Sequence, residues 1–77
     1  MSKEYNKEIE ADSKAIAQAF VHHRKKLGLT QAKVSELSKL DQPHISKIER
    51  SDIYPATDTM NKLAHAIGMK LILVKKE

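Results

Sequence analysis

The chain has no cysteine, which excludes disulfides, thiolate nucleophiles and thiolate metal sites together and fits a reducing cytoplasm, the location expected here. Tryptophan is absent as well, and one Phe with two Tyr leaves little material for the walls of a substrate pocket. No apolar run approaches the roughly 20 residues of a membrane span. The opening MSKEYNKEIEAD has neither the apolar centre nor the small-residue cleavage site of an export signal. No membrane partner is expected.

What is present is ordinary in amount and uneven in placement. With 40% hydrophobic and 31% charged residues in 77, the composition is that of one small globular domain. At this size a single core is marginal and self-association is common. The net charge is +4, but residues 1–12 are acidic on balance, with Glu4, Glu8, Glu10 and Asp12 against Lys3 and Lys7. The basic excess lies in residues 13–51, where Lys14, Arg24, Lys25, Lys26, Lys33, Lys39, Lys47 and Arg50 face only Glu36, Asp41 and Glu49. A concentrated positive field suits an anionic partner such as nucleic acid, and a solvated basic face has the same composition.

Punctuation divides the chain into four helical segments and a tail. Asp12 or Ser13 suits the N-cap of a helix over roughly 13–27, with Ile16, Phe20 and Leu27 at helical spacing and Gly28 as its left-handed stop. Thr30 suits the N-cap of a second helix ending near Ser38, with Val34 and Leu37 inward and Ala32 and Ser35 small enough for close packing. Asp41 then caps a third helix, in which Pro43 is harmless because a first-turn N–H has no helical partner. Residues 51–56 read as a loop containing Pro55. A fourth helix carries Met60, Leu63, Ala64 and Ile67 inward and stops at Gly68. The final MKLILV, an unbroken apolar run after a helix stop, predicts a strand over Met69–Val74.

Two helices joined by only Lys39 and Leu40, the second short and polar on one side, have the layout of a helix-turn-helix. On a wheel of about 100° per residue, Ile45 and Ile48 define the buried side of the second. Pro43, Ser46, Lys47 and Arg50 fall opposite, with Gln42 and His44 on the flanks. Amide, hydroxyl, imidazole and cation on one face can reach base edges and phosphates in a major groove. The plainer alternative is a solvated surface helix.

The stretch LGLTQAKVSELSKLDQPHISKIER resembles the Xre family of helix-turn-helix regulators, of the Cro and phage-repressor type. The elements that carry the resemblance are Gly28-Leu29-Thr30-Gln31, the small Ser35, Leu40 in the turn, Gln42-Pro43 opening the recognition helix and Ile45-Ser46-Lys47-Ile48-Glu49 completing it. Tyr54-Pro55 and Leu63-Ala64-His65-Ala66-Ile67-Gly68 resemble the closing segment, so the likeness runs from about Ile16 to Gly68. Lys39 and Ser51 stand where the family commonly has glycine, and Ala56 where it often has a serine cap.

The resemblance implies a mainly α fold: a compact helix-turn-helix bundle of four to five helices in residues 13–68, preceded by a flexible or helical extension over 1–12. A C-terminal strand and tail over 69–77 follows, and the strand's exposed edge is expected to pair across a homodimer through Leu71, Ile72, Leu73 and Val74. The resemblance also implies DNA-binding roles for Thr30, Gln31, Gln42, Pro43, His44, Ser46, Lys47, Arg50 and Ser51. Gln31 would contact phosphate and brace Gln42; Gln42 would read adenine and Lys47 guanine or phosphate; Arg50 and Ser51 would meet the backbone. Arg24 and Glu49 match an internal ion pair.

Other chemistry finds little support. His22, His23, His44 and His65 have no carboxylate or cysteine at metal-ligand spacing, and adjacent helical histidines point about 100° apart. The acidic residues read as caps or are scattered, so no catalytic residue, metal or cofactor is assigned and an enzyme is not expected. The function expected is a dimeric repressor of a palindromic double-stranded DNA operator. Small Xre-type proteins ending in such a strand resemble antitoxins of the HigA and HipB type, which adds a cognate toxin as a partner. The alternatives are a toxin-neutralising interaction module with DNA binding secondary, and a restriction-modification controller, a class similar in size but more often ending in a helix.

Overall fold

The computed structural model describes residues 3–76; Met1, Ser2 and Glu77, the outer ends of the N-terminal extension and of the C-terminal tail, lie outside the described residues. The fold is mainly helical, with α1 over Lys3–Lys26, α2 over Gln31–Ser38, α3 over Gln42–Glu49 and α4 over Thr57–Ala66.

α1 begins well before the expected Asp12 or Ser13, which lie inside it. The reason is local: from Lys3 to Lys26 there is no glycine or proline, most residues are good helix formers, and Glu10 pairs with Lys14 at 3.2 Å one turn on. At 24 residues and about 1.5 Å per residue, α1 accounts for most of the 40 Å long axis of the molecule. It buries Ala17, Phe20 and Arg24, whereas Ile16 and Leu27, at helical spacing with Phe20, are exposed.

α2 is capped as expected: the Thr30 hydroxyl accepts from the Lys33 N–H at 3.0 Å. Its inward pair is Val34 and Ser38, one turn apart, and Leu37 turns to solvent instead of the core. Asp41 and Ala56 occupy the N-cap positions of α3 and α4, but neither side chain makes a capping hydrogen bond. Asp41 therefore does not act as the expected cap acceptor.

Three helices close by the same device. After α1, α3 and α4 the chain returns through paired bonds of the Schellman type: Gly28 N–H to Lys25 and Leu29 N–H to Arg24; Ser51 to Ile48 and Asp52 to Lys47; Gly68 to His65 and Met69 to Ala64, all between 2.9 and 3.1 Å. The closure needs a left-handed residue, and Gly28, Ser51 and Gly68 supply it at φ 73°, 59° and 76°. α2 ends more simply, with Lys39 left-handed at φ 64° and its N–H on the Ser35 carbonyl. Lys39 and Ser51 thus adopt the glycine-like backbone that their positions require.

The core is one cluster. Phe20 of α1, Val34 of α2, Ile45 and Ile48 of α3, and Met60, Leu63 and Ile67 of α4 or its cap converge, with Val21, Leu29, Leu40 and Ala66 packed around them. Val34, Ile45, Ile48 and Leu63 are wholly enclosed. All four residues expected inward on α4, Met60, Leu63, Ala64 and Ile67, are buried.

No strand forms among the described residues, so the expected strand over Met69–Val74 is replaced by an irregular segment. A strand exists only with a hydrogen-bonded neighbour, and the described residues present none to the segment. The tail runs back toward the start of α1, where Lys76 lies 3.3 Å from Glu8.

Candidate nucleic-acid interface

α3 is anchored on one side and open on the other. Ile45 and Ile48 are fully enclosed, while Gln42, Pro43, Lys47 and Arg50 are exposed and His44 and Ser46 half-buried. Two hydrophobic anchors one turn apart fix the rotation of a helix about its axis, and here that rotation turns the amide, hydroxyl and cations outward together.

The helix is also fixed along its length. Glu49, at its C-terminal end, receives Arg24 Nε at 2.7 Å on Oε2 and Arg24 Nη2 at 2.9 Å on Oε1. Arg24 Nη1 donates to the Leu29 carbonyl at 2.8 Å, which ties the loop before α2 into the same network. Both side chains are about nine-tenths buried or more. A bidentate pair of this kind specifies orientation more surely than it adds stability.

Gln31, at the first turn of α2, donates from Nε2 to Glu49 Oε1 at 3.0 Å. This is not the brace to Gln42 that the resemblance implies: Glu49 offers a buried, charged acceptor, and a bond to a charge outweighs one between neutral amides. The start of α2 is thereby locked to the end of α3. Within the turn, Ser35 donates to the Leu40 carbonyl and the Leu40 N–H donates to Ser38 at 3.2 Å, which explains the small polar residue at position 35.

The expected contact residues fall at three places: α3, the start of α2 and the turn after α3. Gln42, Pro43, Lys47 and Arg50 are together on the open side of α3, with Ser46 beside Arg50. Thr30 and Gln31 open α2, where Thr30 is exposed but its hydroxyl is already engaged as a cap. Ser51 follows α3, half-buried in the left-handed closure. Asp52 carries no expectation from sequence, yet its carboxylate accepts from Arg50 Nε at 2.9 Å; its position two residues after a basic residue at a helix end was the available signal. Leu71, Ile72, Leu73 and Val74 lie far along the tail and are exposed, Leu73 entirely so.

His22 and His23 meet edge to face with ring centroids 5.2 Å apart, and among the described residues no group of His, Cys, Asp or Glu has the arrangement of a metal site. No described helix is long and apolar enough to cross a membrane.

Similarity to known proteins converges on the same segment. A helix-turn-helix family model matches residues 23–74. A protein described as an uncharacterized HTH-type transcriptional regulator from Haemophilus influenzae is 32% identical over 60 residues, 78% of this chain and 61% of that protein, so the chain spans about three fifths of its relative's length. No solved structure matches the chain. The family match covers well over half of the chain and takes in the end of α1, the whole of α2, α3 and α4, and the Arg24–Glu49 pair that joins them: this chain belongs to the Xre-like helix-turn-helix family.

Proposed function

We propose that the chain is a sequence-specific regulator of transcription that binds double-stranded DNA, acting as a dimeric repressor on a palindromic operator. The observation that carries this reading is the rotation of α3, whose apolar side is wholly enclosed while Gln42, Pro43, Lys47 and Arg50 share the open side. A helix held in this way fits a major groove about 12 Å wide. The description of the relative as a transcriptional regulator supports it.

In this reading Gln42 makes a bidentate contact to adenine, Lys47 meets guanine or phosphate, and Pro43, His44 and Ser46 face the bases. Thr30, Gln31, Arg50 and Ser51 meet the backbone. Phosphate only accepts, so its partners must keep donors in reserve. Gln31 keeps its second amide hydrogen beyond Glu49, and Arg50 keeps its Nη2 hydrogens beyond Asp52 and Ser46.

The C-terminal segment supports the dimer. Ile72, Leu73 and Val74 are 70%, 100% and 80% exposed, an apolar run that a lone chain leaves in water. Antiparallel pairing of Met69–Val74 with a second copy covers that run, satisfies both backbones and presents two recognition helices about one DNA turn apart. The same exposed run favours a second reading, in which a toxin protein is the cover and the chain is an antitoxin that represses its own operon.

Titration against genomic fragments at two salt concentrations tests the proposal. The expected result is a preferred fragment whose affinity falls steeply as salt rises, because phosphate contacts release counterions. No preference over competitor DNA at low salt would sink it.

A further inference from the structure

Ser46 and Arg50 lie one turn apart on the open side of α3, and Arg50 Nη1 donates to Ser46 Oγ. Arg50 Nε donates to Asp52 Oδ2 at 2.9 Å. Asp52 is held in turn: its N–H donates to the Lys47 carbonyl at 2.9 Å, beside the Ser51 N–H on Ile48 at 3.0 Å. The chain Asp52–Arg50–Ser46 is therefore built entirely on α3 and its closing turn. It travels with the recognition helix, and the left-handed backbone of Ser51, φ 59°, is what brings Asp52 back within reach.

The direction of the hydrogen bonds has a chemical consequence. A guanidinium only donates, so Ser46 Oγ accepts from it, and a hydroxyl that accepts from a cation has its own proton left to give. Neighbouring donation also polarises that O–H and strengthens it as a donor.

We infer that Ser46 reads a base edge as a hydrogen-bond donor, with Arg50 and Asp52 as positioning residues that set the polarity of its hydroxyl; the inference rests on the DNA-binding reading above. The edge that fits is an acceptor in the major groove: a purine N7, guanine O6 or thymine O4. The amino groups of adenine and cytosine fit less well at that place, because an incoming N–H would have to take the one lone pair that the Arg50 guanidinium leaves on Ser46 Oγ. Asp52 has a second effect. It offsets the charge of Arg50, which lowers sequence-independent attraction to phosphate and leaves more of the binding energy to base contacts.

The test begins by selecting duplexes from a random pool with the full-length protein, then measuring binding to the selected duplex and to each single-base variant. Ser46→Ala is expected to lower discrimination about three- to tenfold at one position, the net worth of one hydrogen bond, and leave the others unchanged. At that position an analogue lacking the acceptor, 7-deazapurine for N7, 2-aminopurine for guanine O6 or 5-methylpyrimidin-2-one for thymine O4, should weaken the wild type by the same factor and the variant not at all. Asp52→Asn should bind every duplex more tightly at low salt yet discriminate less at that one position, a combination that a merely structural role for Asp52 would not produce. Full discrimination by Ser46→Ala at every position overturns the inference, as does an analogue effect that persists in that variant or unchanged discrimination in Asp52→Asn. If the wild-type protein enriches no sequence at all, the DNA-binding reading falls first and this inference with it.

Discussion

Arg24 of α1 and Glu49 of α3, 25 residues apart in the chain, meet through two parallel hydrogen bonds of 2.7 and 2.9 Å in a site almost closed to water. Removing one partner strands the other charge in that site. Glu49→Ala is expected to cost roughly 3–5 kcal/mol, against less than about 1 kcal/mol for Glu10→Ala, which breaks the exposed pair with Lys14. Urea unfolding of the two variants checks the contrast. Equal small losses would mean that the buried pair holds nothing in place.

The left-handed positions separate by residue type. Lys39→Gly and Ser51→Gly relieve a side chain of a backbone it disfavours, and each should raise stability by about 0.5–1 kcal/mol, a few degrees in melting temperature for a domain of this size. Gly28→Ala and Gly68→Ala should each lower it by about 1 kcal/mol. An added Cβ meets nothing within 4 Å at either glycine, so the cost is backbone strain alone. Thermal melts of the four variants would contradict this if all moved in one direction.

Base reading and backbone attraction should part on α3. Gln42→Ala is expected to lose roughly 1–3 kcal/mol at a single base position and relax preference there. Arg50→Ala should weaken binding to all sequences and reduce the salt slope by about one, in addition to its local effect beside Ser46. Sequence-independent losses of equal size from both changes would refute Gln42 as a base reader.

Deleting residues 69–77 removes the exposed apolar run and, with it, the Met69 N–H that closes α4 on Ala64, but none of the residues of the core cluster. The truncated protein is expected to be monomeric by light scattering and to bind a palindromic site much more weakly than the full chain, while keeping its helical circular dichroism. A truncated protein that stays dimeric and binds as tightly would rule out the tail as the pairing element.

The helices of the helix-turn-helix were legible residue by residue, because their signals are local. Thr30 caps α2, Gly28 and Gly68 close α1 and α4, and the spacing of Ile45 with Ile48 sets the rotation of α3. The start of α1 is not legible in this way: Asp12 and Ser13 favour caps but do not compel them, and nothing around them breaks a helix, so residues 3–12 of the extension are helical and continuous with it. Ile16 and Leu37 show how far periodicity reaches. Both have helical spacing with core residues, yet Ala17 and Ser38 are the ones buried, because the neighbouring helix determines which edge of an apolar stripe is covered.

The sequence by itself determined the family, the order of the helices and the polar character of one face of α3, since capping, glycine placement and 3.6-residue periodicity act within a few residues of the chain. Only the tertiary structure decided where polar side chains find partners. Gln31 turns to Glu49 instead of Gln42, and Arg50 to Asp52 and Ser46, because a hydrogen bond goes to the strongest acceptor the packed helices bring within about 3 Å. Folding of the single chain also left Ile72, Leu73 and Val74 in water, with no strand among the described residues, because an apolar run becomes a strand only beside a hydrogen-bonded neighbour.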